Sequence, residues 1–212
     1  MSTPAPITTE DEARAYVANW AAPSGMEVLS GYIAALLDEN GRQNLISKPS
    51  EAQLWQRHIA DSAQLLEHVS RETREKPPGP WLDLGTGPGL PGMVIAILQP
   101  QIDVVLVESR ARRVEFLQTC VRSLGLANCR IEGQRLEITD PFDSWIISAR
   151  AFAPLEKLLR LSAPFSTSST KFLLPKGRSA AHELQSVKPS IRRLFHVKQS
   201  LTDPEAGIIV SQ

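Results

Sequence analysis

Residues 81–92, Trp-Leu-Asp-Leu-Gly-Thr-Gly-Pro-Gly-Leu-Pro-Gly, decide how the rest of the chain is read. A short apolar run, Trp81 to Leu84, leads straight into Gly85, Gly87 and Gly89, and Pro91 suits the first turn of a following helix. Glycine has no Cβ, so the main chain can bend sharply and approach a ligand where a side chain would collide. Strand, bare turn and helix start in that order predict a ligand-binding loop.

Downstream of that loop, β-rich and helical runs alternate. Ile102 to Val107, a short run around Ile131, Trp145 to Ile147 and Lys171 to Leu174 read as strands. Pro91 to Leu98, Ala111 to Leu124, Leu155 to Leu161 and Ala180 to Val187 read as helices between them. The rhythm predicts an α/β fold with a largely parallel sheet covered on both faces. Leu194 to Val197 and Ile208 to Val210 have only turn residues between them, which predicts an antiparallel edge hairpin.

Upstream, the pattern is helical. Thr9 and Glu12 form a capping box for a helix that ends by Pro23 and Gly25. Met26 to Glu39 is amphipathic and is expected to stop at Asn40-Gly41, and Glu51 to Val69 makes a third helix. The polar, Pro-rich Ser70 to Pro80 is the best boundary, dividing the chain into a helical extension, 1–76, and a domain, 77–212.

Composition narrows the class. With 42% hydrophobic and 22% charged residues in 212, the chain has the make-up of an ordinary folded protein. Apolar runs such as Met93 to Leu98 fall far short of the roughly 20 residues that cross a bilayer. Residues 1–13 carry neither Lys nor Arg nor an apolar run, so no leader is legible and a cytoplasmic protein without membrane partners is expected. Cys120 and Cys129 are too few for a disulfide scaffold, and His58, His68, His182 and His196 lack metal-site spacing, so reduced thiols and no metal are expected. Charge balances at 23 basic and 23 acidic residues, against coating of nucleic acid by bulk electrostatics. It is unevenly spread: Lys171 to Lys198 holds seven basic residues against Glu183 alone, a solvated face or a phosphate-contacting one.

Gly87, Gly89 and Gly92 also fit the dinucleotide pattern, so the glycines alone leave the ligand open. Asp83 weighs on the choice. A carboxylate two residues before Gly85 would repel a pyrophosphate and favour a cationic amino acid moiety, such as that of S-adenosylmethionine. Glu108, after the next strand, can accept both hydroxyl protons of an adenosine ribose in either class of cofactor.

Together with Asn44-Leu45, Arg57-His58, Asp61-Ser62, Arg112-Arg113 before Phe116-Leu117, Arg135 to Glu137, Arg150 to Ala153 and Lys176-Gly177, the loop resembles the RsmG (GidB) family over about Asn44 to Gly177. That resemblance implies a Rossmann-like class I methyltransferase fold with a seven-stranded sheet. It implies transfer of a methyl group from S-adenosylmethionine to N7 of one guanine in the 530 loop of bacterial 16S rRNA, by a monomer that meets the RNA or the small ribosomal subunit. It places Gly85 and Leu90 by the methionine and ribose, Leu136 and Glu137 by the adenine, and Arg150 at the pocket's closure; with Asp83, Gly87 and Glu108 these make up the expected cofactor set. Arg57, His58 and Lys176 would face RNA, and Arg178, in the basic stretch, would anchor flanking phosphates. Two departures stand out: Glu39-Asn40 where the family has Trp-Asn, and Pro175 before Lys176. Guanine N7 carries no proton, so no catalytic acid or base is expected. A dinucleotide oxidoreductase and an RNA-binding assembly factor with a vestigial pocket are the competing readings.

Overall fold

The computed structural model describes residues 5–212, so the first four residues of the expected helical extension lie outside the described residues. Seven strands form one sheet in the order β3-β2-β1-β4-β5-β7-β6. They are β1 (Trp81–Leu84), β2 (Val104–Val107), β3 (Cys129–Glu132), β4 (Ser144–Ser148), β5 (Ser166–Gly177), β6 (Phe195–Gln199) and β7 (Gly207–Ser211). β1 to β5 run parallel, and β7 enters antiparallel between β5 and β6. This is the predicted α/β architecture, a Rossmann-like sheet with its C-terminal hairpin.

Strand alternation sorts two apolar layers. Trp81, Val104, Leu106, Ile146 and Leu173 face one cluster, which includes the helices Gly25–Gln43 and Gly92–Leu98 and the other N-terminal helical turns. Leu82, Leu84, Val105, Ile147 and Leu174 face the other, under the helices Leu155–Ser162 and Ala180–Ser186. Residues from the N-terminal segment thus share a core with β1 and β2. Asp83, two places after Trp81, points to that same N-terminal face.

Four expectations are adjusted. The helix begun by the Thr9 capping box closes as expected, but the second runs past Asn40-Gly41 to Gln43. Asn44, at φ 51°, supplies the left-handed cap, while the buried Asn40 accepts Ile46 N–H at 2.8 Å and donates to Glu51 at 2.6 Å. The third helix is not uniform: 3-10 turns over Lys48–Gln53 and Gln64–His68 flank π-wound turns over Trp55–Ala60. Glu10 accepts the N–H groups of Trp55 and Gln56, both at 2.9 Å, at the start of the π stretch. Within the expected linker, Arg71–Glu75 forms a helix capped by Ser70. Pro175 does not end β5, because the ladder to β4 stops at Leu173 and the ladder to β7 shifts register between Pro175 and Gly177. At that irregularity a missing N–H costs little. Where the family has Trp, Glu39 instead binds Arg42 and Gln43, and Gln43 reaches the Arg112 carbonyl at 3.0 Å. Among the described residues no helix is long and apolar enough to cross a membrane.

Candidate functional site

The five parallel strands end on one edge, at Leu84, Val107, Glu132, Ser148 and Gly177, and the loops leaving that edge carry nearly every residue singled out in the sequence. Open α/β sheets bind ligands along this edge, because helix starts and free main-chain amides gather there.

Gly85 and Gly87 both hold left-handed backbone, φ 61° and 60°. At Gly87 a Cβ would meet nothing nearer than Arg113 Nη1, 3.6 Å away, so this part of the loop lies open to a ligand. Loop and sheet are stitched together by Thr86 N–H to the Val107 carbonyl, 3.1 Å. Tyr32, buried on the helix Gly25–Gln43, donates its hydroxyl to the Pro88 carbonyl at 2.9 Å, so the N-terminal segment braces the loop directly. No local signal marks Tyr32, whose partner lies 56 residues away in sequence.

Asp83 meets a different geometry from the one anticipated. Its side chain is fully buried and does not stand open in the crevice; one oxygen accepts Ser148 Oγ–H at 2.6 Å and the other accepts Gly92 N–H at 3.0 Å. Ser148 in turn accepts Trp81 Nε1–H at 2.8 Å. The strand's alternation has turned the carboxylate inward, where it fastens the helix after the loop to β1 and β4. Burial raises its pKa from 3.8 to about 6, and the Ser148 and Gly92 bonds oppose only part of that rise. The native state therefore holds this proton more tightly than the unfolded chain does. As pH rises from about 4 to 6, Asp83 withdraws up to about 3 kcal/mol of stability. Asp83→Asn, whose Oδ1 can still accept Gly92 N–H while its Nδ2 donates to Ser148 Oγ, is expected to flatten that part of the stability profile and to hold or raise the melting temperature at pH 7.5. Thermal melts of wild type and variant from pH 4 to 8 check it; parallel curves would refute it.

Glu108 directly follows β2 at 6% exposure, and one oxygen accepts the N–H groups of Ser109 and Arg110 at 2.8 and 2.9 Å. Its other oxygen faces Arg113 Nη1 at 3.6 Å. The carboxylate is thus aimed by main chain while keeping acceptor capacity. Arg113, given no role from sequence alone, lies between Glu108 and Gly87; being on the helix Ala111–Ser123, it is brought there only by folding. Leu90 and Leu136 are only 2% and 3% exposed, so neither presents an open side chain to the crevice. Glu137 is exposed on the 3-10 turn Leu136–Ile138.

Beside the glycine loop opens a cleft of about 870 Å³ whose lining includes Arg57, His58, Asp61, Arg150, Phe152 and Lys176. Four of these came from sequence, and the fold brings them together from both halves of the chain. Arg150 reaches Asp61 at 3.5 Å and His58 Nδ1 at 3.4 Å, and His58 Nε2 lies 2.8 Å from Ser50 Oγ. Since Arg150 can only donate, Nδ1 accepts and Nε2 carries the proton to Ser50. Burial, then the charges of Arg150 and Arg57, push the His58 pKa down from 6.5 to about 3, so the ring is neutral near pH 7. Asp61 also accepts from Gln64 and Thr202, and its pKa is raised by burial.

Lys176 departs from the expected RNA-facing role. Its side chain is 6% exposed and its ammonium donates to the Ala153 carbonyl at 2.7 Å and to Glu183 at 3.0 Å. An ammonium so enclosed is committed to the protein. Lys176→Met is expected to cost about 2–4 kcal/mol of stability by taking the counter-charge from the half-enclosed Glu183 and the donor from the Ala153 carbonyl, with the salt dependence of RNA binding unchanged. Denaturant unfolding and a salt titration read the two separately. Arg178 is exposed and pairs with Glu205 at 2.5 Å, whereas Arg57 is exposed with no salt bridge among the described residues. Cys120 and Cys129 are buried free thiols, pushed up to about 12 by burial, and no group of three or more His, Cys, Asp or Glu among the described residues could hold a metal ion.

Comparison with known proteins agrees with this geometry. The family model described as GidB, rRNA small subunit methyltransferase G, matches residues 26–206, a longer span than the motifs alone suggested. A ribosomal RNA small subunit methyltransferase G of Erythrobacter litoralis is 57% identical over 97% of this chain and 97% of its own. One from Novosphingobium aromaticivorans is 50% identical over 97% and 89%. Among solved structures, a methyltransferase from Geobacter sulfurreducens superposes with a TM-score of 0.59 at 14% identity, over 86% of this chain and 90% of that one. A mutant of MtNAS in complex with S-adenosylmethionine gives 0.55 at 15% identity, over 96% and 77%. At such identities the likeness is one of fold.

Proposed function

The chain belongs to the GidB family, rRNA small subunit methyltransferase G, and we propose that it methylates N7 of a single guanine in the 530 loop of 16S rRNA with S-adenosylmethionine as donor. The donor's identity follows from the family, and the observation that supports a cofactor site here is the join of an open, left-handed glycine turn with the Glu108 carboxylate across one crevice. The bound cofactor would supply a methyl group on a cationic sulfonium. Main chain at Gly85, Gly87, Leu90 and Leu136 would enclose it, Glu108 would accept the ribose hydroxyls, Glu137 would meet the adenine edge, and Arg150 would close the pocket. Asp83, turned inward, would set the loop's position and lend negative potential from behind it.

Guanine N7 presents an in-plane lone pair and no proton, so the protein need not remove one. A His58 held neutral by its surroundings is in keeping with that, since a ring whose pKa is pushed down to about 3 is a poor base near pH 7. What remains for the protein is alignment of nucleophile and methyl group and exclusion of water. The N7 edge of a paired guanine faces the deep, narrow groove of A-form RNA, so the target would be presented from a loop or splayed outward. Arg57 at the cleft, with exposed Arg178, Arg192 and Arg193, would hold the flanking phosphates. In this reading residues 1–76 are a helical extension packed on a methyltransferase domain of residues 77–212, and the chain works as a monomer in the bacterial cytoplasm.

The test is transfer of a labelled methyl group to unmodified small subunits and to 16S rRNA, with digestion to nucleosides. Label in 7-methylguanosine, mapped to one nucleotide of the 530 loop, is the expected result. Label in another nucleoside, or none, would overturn the reading; the second outcome would favour an assembly factor with an idle pocket.

A further inference from the structure

Between the cofactor loop and the cleft runs the strap 150–155, anchored on both sides. Arg150 is held by Asp61 and His58. Farther on, Ala153 is held through its carbonyl by Lys176, and Leu155 N–H by Glu183 at 2.5 Å. This gives the Lys176–Glu183 pair a purpose. Within the strap Ala151 adopts φ 53°, a left-handed conformation that a non-glycine residue keeps only when its surroundings enforce it. The strap presents Phe152. Its ring lies against Gly85: Cδ2, Cε2 and Cγ are 2.5, 3.3 and 3.4 Å from the point a Gly85 Cβ would occupy. The same residue lines the cleft, where it is the one Phe, Tyr or Trp among the described lining residues, and it is half-buried, with one side against the apolar layer.

We propose that Phe152 is a positioning residue for the target base, a platform on which the guanine stacks where the cleft meets the glycine loop. The inference rests on the rRNA methyltransferase reading and deepens it. The N7 lone pair lies in the plane of the base, so whatever fixes that plane also fixes the direction of attack. A flat aromatic face does this without reading any hydrogen-bonding edge and leaves N7 free. Because the ring rests on Gly85, base plane and cofactor are referenced to the same few atoms of main chain.

Phe152→Leu and Phe152→Met remove the ring and keep an apolar side chain; Phe152→Tyr and Phe152→Trp keep a stacking face. Each is assayed for kcat/KM on unmodified small subunits and for S-adenosylhomocysteine affinity by calorimetry, alongside a thermal melt. The ring-free variants are expected to lose about 5- to 150-fold in kcat/KM, the range of one base–aromatic stack. Their cofactor affinity is expected to stay within about two-fold of wild type. The aromatic variants are expected to recover most of the rate. The proposal falls if ring-free variants keep full kcat/KM, if Tyr and Trp do no better than Leu and Met, or if cofactor affinity drops in step with the rate. The last would make Phe152 part of the cofactor wall. Absence of any methyl transfer by the wild type would instead bring down the proposed function, independently of Phe152.

Discussion

Gly85→Ala is expected to lower methyl transfer to small-subunit RNA by at least about 100-fold, a loss near 3 kcal/mol or more, while the chain still folds. Two costs act at this position. The backbone sits at φ 61°, where an added Cβ costs about 1–2 kcal/mol. That Cβ would also lie 2.5 Å from the Phe152 ring, so either the loop opens or the ring leaves its place at the cleft. Both movements misalign the cofactor loop and the strap, and misplacement of about 1 Å can cost about 100-fold in rate. Stability should fall by only about 1–3 kcal/mol, because Phe152 is half-buried and can swing aside. Methyl transfer assays and urea unfolding give the two numbers. A variant with wild-type activity would mean that the Gly85 turn is not part of the cofactor site. Gly92→Ala should behave in the opposite way: its Cβ would run into Leu106 and Asp83 in the core, so loss of stability would dominate.

Glu108→Gln is expected to weaken S-adenosylhomocysteine binding about 10- to 150-fold, the worth of one charge-assisted hydrogen bond of about 1.5–3 kcal/mol. The amide can keep the contact that orients this side chain, since its oxygen can still accept from Ser109 and Arg110 N–H. Its nitrogen would then replace the oxygen that now faces Arg113, and a donor there can neither accept from a ribose hydroxyl nor balance the guanidinium. The melting temperature should change little, which separates loss of binding from loss of fold. Calorimetric titration of both proteins checks it. Unchanged affinity would move the ribose away from the end of β2.

Much of this molecule was legible as pattern. The capping box at Thr9, β1 at Trp81–Leu84 and the alternation of strands and helices after it are local properties, set by side-chain period and by glycine and proline, and they appear in the structure close to where the sequence puts them. The same holds for the acidic residue after β2, because strand ends and loop starts are coded by neighbours in sequence. Pattern was weaker where the backbone departs from its regular winding. Apolar spacing predicted one helix over Glu51 to Val69 but not its π turns at Trp55–Ala60, which place Arg57 and His58 at the cleft.

What the chain's sequence determined by itself was the order of its elements, the glycine turn and the family signature. Which way the functional side chains face was decided only in three dimensions. Asp83 and Lys176 read as open charges, yet Asp83 is turned toward the N-terminal helices by the pleat of β1, and Lys176 is drawn under the strap by Ala153 and Glu183. Tyr32 and Phe152 gain their importance from partners distant in sequence, and Arg113 from standing between Glu108 and the Gly87 turn. The physical reason is range: turn propensity and periodicity act over a few residues, whereas burial, charge pairing and the shape of a cleft depend on contacts that exist only once the sheet has assembled.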